Sequence, residues 1–106
     1  MKPVSVQRLA EQDILAAIDY YIEHAPNVVE RFMKAVDRAM FSIGDSPGIG
    51  SPTFAEVLDI PGLRYRAIAS FPYAVFHQES ANDIRVLRVL HHGGDIMSLI
   101  GATDPD

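Results

Sequence analysis

The segment Ile84-Arg85-Val86-Leu87-Arg88-Val89-Leu90-His91 is apolar almost throughout and barely alternates. That pattern predicts a β-strand covered on both faces. It runs into a polar corner, His92-Gly93-Gly94-Asp95-Ile96, where a small sheet can present polar groups to a partner. A chain of 106 residues holds one domain, spanning residues 1–106. Such a chain buries only about two-thirds of its unfolded surface, so the core around this strand is thin.

The rest of the sequence supplies the elements that pack on it. Val4 and Val6 alternate with Ser5 and Gln7, a short strand signal between Pro3 and Arg8. Ala10, Ile14, Ala17, Ile18, Tyr21 and Ala25 then recur at helical spacing, with Glu11, Asp13, Asp19 and Glu23 largely on the other side. Pro26 ends this helix. Asn27-Val28-Val29-Glu30 resembles a capping box that opens a second one. The second helix buries Val29, Phe32, Val36, Ala39, Met40 and Ile43, and it stops near Gly44 and Pro47. So short a connection predicts an antiparallel helical hairpin. Residues 45–52 read as a loop, and Pro61-Gly62 as a turn. Leu63 to Ser70, Tyr73 to Glu79 and the last strand then form an antiparallel meander, with one short helical turn from Ile96 to Ile100. The expected fold is a two-layer α+β domain: N-terminal strand, helical hairpin, three-stranded meander.

Composition narrows the chemistry. There is no cysteine, so disulfides, a thiol nucleophile and cysteine metal sites are excluded. The start Met1-Lys2-Pro3-Val4-Ser5 lacks the apolar core of a signal peptide, and no apolar run is long enough for a membrane span. The expected location is the cytoplasm, with no membrane partner. The net charge of −5 argues against direct DNA binding. Even so, Arg64, Arg66, Arg85 and Arg88 concentrate on predicted strands, which leaves room for a local basic face.

No catalytic signature stands out, and no metal or cofactor is expected. Gly48-Ile49-Gly50 is too short for a nucleotide loop and is followed by Ser-Pro. His91 and His92 are adjacent on a strand and so point to opposite faces, which prevents them from chelating one ion. His91 either closes a polar end of the core or meets a partner, where a histidine can change charge near neutral pH. Tyr20-Tyr21 reads as a rim-plus-core pair. Arg64 and Arg66 share one strand face. With Arg88 they could grip a phosphate or carboxylate bidentately, or pair with acids of the hairpin.

The order of elements and several motifs resemble the RelE/ParE superfamily of toxins from type II toxin–antitoxin systems. The similar stretches are Ala10-Glu11-Gln12-Asp13-Ile14 with Tyr20 or Tyr21, Ser46-Pro47-Gly48-Ile49-Gly50, Pro61-Gly62-Leu63-Arg64-Tyr65-Arg66, Phe71-Pro72-Tyr73-Ala74-Val75-Phe76, and Arg88-Val89-Leu90-His91 through Ile96. The likeness runs from residue 4 to about 100. In that family, RelE-like members cut messenger RNA on the ribosome with a basic residue set and often a late tyrosine. ParE-like members instead poison DNA gyrase. The net charge of −5, only two lysines and no tyrosine after Tyr73 look like the ParE side. Gly94 stands where most members carry arginine.

The resemblance therefore implies a gyrase-directed toxin of the kind associated with plasmid stabilization. It would act by protein contact, not by catalysis, and would be neutralised as a hetero-oligomer with a cognate antitoxin. The alternatives are a ribosome-dependent endoribonuclease or a non-toxic relic that still binds antitoxin. The helices carry more large apolar groups than one face should need, which points to an antitoxin segment that lays an amphipathic helix on the hairpin of residues 9–44, with or without an extended piece along the sheet. The expected antitoxin contacts are Ile14, Ile18, Tyr21, Phe32, Arg64 and Arg88. The expected target contacts are Arg66, His91, His92 and Asp95.

Overall fold

In the computed structural model, which describes residues 2–94 and 96–101, strand β1 (Val4–Val6) leads into helices α1 (Arg8–His24) and α2 (Val29–Asp45). A short helix α3 (Thr53–Val57) follows, then strands β2 (Leu63–Ala67), β3 (Tyr73–Glu79) and β4 (Ile84–His91), and helix α4 (Ile96–Gly101). The sheet order is β1-β4-β3-β2. The meander is antiparallel, whereas β1 lies parallel to β4, with Val4 opposite Ile84 and Val6 opposite Val86. The expected strand, hairpin and meander are all present.

β4 is covered on both faces, as its composition demands. Toward the hairpin, Val86 and Val89 join Val75, Phe32, Val36 and Ile43 in the larger core cluster. Toward the other face, Leu87 and Leu90 meet Leu63, Phe76 and Ile100, with Phe54 and Leu58 packed alongside. A register irregularity between Phe76 and His77 lets Leu87 and Leu90 share that second side. α3 and α4 thus cover the sheet face that the hairpin leaves open. α3 falls in a stretch to which the sequence assigns no element, because five residues following a Ser-Pro pair carry too little periodicity to announce a helix.

Two local expectations differ from the structure. Asn27 does not cap α2. Pro26–Val28 instead forms a 3-10 turn that runs straight into the helix at Val29. Backbone bonds from Val28 N–H to Ala25 and from Val29 N–H to Pro26 satisfy the early amides, so the side-chain cap has no vacancy to fill. β2 also stops at Ala67, short of the expected Ser70. There the chain folds back on itself: Ile68 donates to the Tyr73 carbonyl, Phe71 donates to the Ile68 carbonyl, and Ser70 takes φ +70°.

Pro61-Gly62 makes the expected turn. Leu63 donates to Ile60, with proline second and glycine third at φ +78°. Among the described residues no helix is long and apolar enough to cross a membrane.

Candidate functional site

Three groups of polar residues stand out, and the expected site residues are divided among them. The first lies on the outer edge of β4. β1 ends at Val6, so the edge of β4 beyond Val86 has no strand partner. Asp13 of α1 occupies that edge. Its Oδ2 accepts the Val89 N–H at 3.0 Å and Arg88 Nε at 2.8 Å, and its Oδ1 accepts Arg88 Nη2 at 2.9 Å. Arg88 Nη1 donates to the Leu99 carbonyl at 2.8 Å, tying α4 to the same knot. The bonds to Asp13 hold the guanidinium pKa above its usual value against the opposing effect of burial. This arginine pairs with an acid of the hairpin and is almost wholly buried. Its bonds are thus made within the chain, and Asp13 does not belong to the solvent side of α1.

The second group straps the loop after α2 to the other edge of the sheet. Ser51 and Tyr65 exchange backbone hydrogen bonds at 3.0 Å. Arg64 Nη1 donates to the Gly50 carbonyl at 2.9 Å. Arg66 donates to Ser42 Oγ and to the carbonyls of Ser46 and Ile49. Both arginines bind neutral oxygens of their own chain.

Under this strap lies His77, opposite Arg64 in the register and 1% exposed. Its Nε2 and the Nε of Arg66 are buried without hydrogen-bond partners. Burial first, then the charges of Arg66 and Arg64, push the imidazole down to about 4. His77 carries no sequence signal of its own, because a histidine inside an apolar strand signals nothing by itself. The nearby Arg64 and Arg66, two residues apart, were the available clue.

The third group is the corner after β4. His91 and His92 do fall on opposite sides. His91 accepts the Gly93 N–H at Nδ1 over 2.8 Å and lies edge-on to the Tyr73 ring, with centroids 5.2 Å apart. With Tyr20, Tyr21 and Pro72 these residues line a hollow of about 470 Å³. His92 instead lines a separate hollow with Phe54, Tyr65 and Ile96. Tyr20 stacks on His24 at the rim, while Tyr21 packs into the core beside Phe32 and Phe71. A β-carbon at Gly94 would sit 3.3 Å from the His91 carbonyl, so an arginine fits there only after a shift of a few tenths of an ångström. Asp95, an expected target contact, lies outside the described residues.

The hairpin residues expected to meet an antitoxin turn inward. Phe32 is fully buried, and Ile14, Ile18 and Tyr21 are half-buried against the core. Phe32 therefore has no surface to offer. The outward apolar groups are Leu15, Ile22, Met33 and Phe41, at 53%, 56%, 48% and 68% exposure. Leu15 and Ile22 are seven apart and share one face of α1. Apolar groups occupy both faces of α1, and that mixture is the sequence signal of an outward apolar face.

The fold is thus a four-stranded sheet with a helical hairpin on one face and short helices on the other, tied at one edge by the Asp13–Arg88 pair. The family model described as the ParE toxin of the type II toxin–antitoxin system, parDE, matches residues 4–96, and the chain belongs to this family. No curated protein matches it. Among solved structures, one described as a chromosomal ParDE TA system from P. aeruginosa is similar in fold, with a TM-score of 0.71 and 19% identity. The match covers 86% of this chain and 96% of that one.

Proposed function

We propose that this chain is the toxin half of a type II pair, that a cognate antitoxin holds it, and that its target is DNA gyrase, reached by protein contact. The observation that carries the antitoxin half is the apolar surface of the hairpin. Leu15 and Ile22 stand more than half exposed on one side of α1, although that helix already supplies Ala10, Ile14 and Ala17 to the core. Such a face suits an amphipathic helix from a partner.

The gyrase half is supported by membership of the ParE family and by the state of the polar groups. Cleavage of RNA needs cations aimed at a developing charge and a group to move a proton. Arg64 and Arg88 are committed to oxygens of their own chain. His77 is buried and held neutral above about pH 4.

The test is one preparation assayed twice, for inhibition of gyrase supercoiling and for ribosome-dependent cleavage of a reporter messenger RNA. Inhibition without cleavage is expected. Cleavage would overturn the reading in favour of an endoribonuclease. Absence of both activities would also overturn the gyrase assignment and leave an antitoxin-binding domain without toxicity.

A further inference from the structure

Between α2 and the open edge of β2 runs a groove of about 650 Å³. Four cations line it: Arg31, Lys34 and Arg38 from α2, and Arg66 from β2. No carboxylate is among its lining residues, although the chain as a whole carries a charge of −5. The three α2 cations are exposed and spaced three and four residues apart, so they form one stripe along the helix. Among the described residues Lys34 pairs with Glu30 alone, in a largely solvated contact at 3.1 Å. Neither Arg31 nor Arg38 meets an acid among the described residues. The charge of Arg66 is also uncompensated, because its bonds go to a serine hydroxyl and two carbonyls.

The floor of the groove is small and has a strand edge. Ala35 and Ala39 form one side of it, and Ala67 the other. Leu63 and Tyr65 direct their backbone groups away from β3, to Ile60 and Ser51. Ala67 is the next residue of that outward set, and it is exposed. Its N–H and C=O therefore lie on the open edge beside the cations.

We infer that this groove receives an extended, acidic segment of a partner polypeptide, laid along the end of β2 with its carboxylates on the α2 stripe. The spacing agrees. Seven helical residues from Arg31 to Arg38 span about 10 Å. Alternate side chains of an extended chain recur about every 7 Å, so two successive acids of one strand face reach the three cations. A strand edge supplies main-chain bonds, and the flanking charges supply selectivity. A long polyanion such as a nucleic acid fits less well, because it would run past the stripe onto Glu30 and Asp45, which bracket it on the same helix. This groove is separate from the apolar face carrying Leu15 and Ile22 and does not depend on what binds there.

The test is fluorescence anisotropy at low salt with a labelled peptide of alternating Glu and Val. The controls are its Gln–Val counterpart and a single-stranded oligonucleotide of equal charge. The acidic peptide should bind, the Gln peptide should bind roughly tenfold or more weakly, and added salt should weaken binding. The variant R31E/R38E changes two exposed residues, so its folding can be verified by circular dichroism. It should lose at least about tenfold in peptide affinity. Equal binding by parent and variant, no binding by the parent, or preference for the oligonucleotide would each overturn the inference.

Discussion

Asp13 on the first helix and Arg88 on the last strand form a two-pronged ion pair, at 2.8 and 2.9 Å, across 75 residues of sequence. Their side chains are only 15% and 11% exposed. The same carboxylate also closes the open backbone edge at Val89. Removing one partner leaves the other desolvated and unpaired, which costs about 3–5 kcal/mol in buried pairs. Asp13→Ala and Arg88→Ala should each lower stability on that scale in urea unfolding. The double variant should cost clearly less than the sum of the two, because the second change removes a charge already stranded. Additive losses would show that the two residues act separately.

The loop strap depends on Gly50. It takes φ +137°, a conformation essentially reserved for glycine, and a β-carbon there would lie 3.0 Å from the Tyr65 carbonyl. Gly50→Ala should destabilise the chain by about 1–3 kcal/mol. Gly48 lies in the same loop with nothing within 4 Å of its added carbon and with no positive φ. Gly48→Ala should therefore change stability by no more than about 0.5 kcal/mol. Thermal unfolding of the two variants side by side checks the contrast.

His77 makes stability depend on pH. Its imidazole titrates near 6.5 when unfolded and near 4 when folded. Between those values the unfolded chain binds a proton that the folded chain refuses. The stability due to this neutral histidine is complete above about pH 6.5 and is lost as pH falls toward 4, by up to about 3 kcal/mol. Below about 4 both states are protonated and this loss stops growing. His77→Gln should flatten that part of the curve when unfolding is followed at pH 7.5 and pH 4.5. A parent and a variant with parallel pH profiles would assign the dependence to other groups.

The backbone was more legible than the site, for physical reasons. The bounds of Tyr73–Glu79 and Ile84–His91 were readable because turn residues punctuate strands and a doubly covered strand must be apolar throughout. The partners of polar groups were not readable. Asp13 occupies a polar position by helical period, yet it is half-buried because β1 is only three residues long and exposes the edge of β4 beside it. By sequence alone Phe32 suits a partner surface, but a large aromatic at the centre of a thin core is taken up by Tyr21, Phe71 and Tyr73. His77 became distinctive only after the chain brought Gly50 and two arginines over it.

The outward face of the hairpin is the place to test the antitoxin proposal. Leu15 and Ile22 are exposed on one side of α1, so charging them should cost the isolated fold no more than about 0.5 kcal/mol. An apolar anchor buried in an interface is worth about 2 kcal/mol or more, hence roughly thirtyfold in affinity. Leu15→Glu and Ile22→Glu should therefore weaken binding of the cognate antitoxin by at least that factor in calorimetry, while the unfolding midpoint stays close to that of the parent. Phe32→Ala provides the opposite outcome. It empties a fully buried site and should cost about 3–5 kcal/mol of stability. Unchanged antitoxin affinity in both glutamate variants would move the partner away from this face of α1.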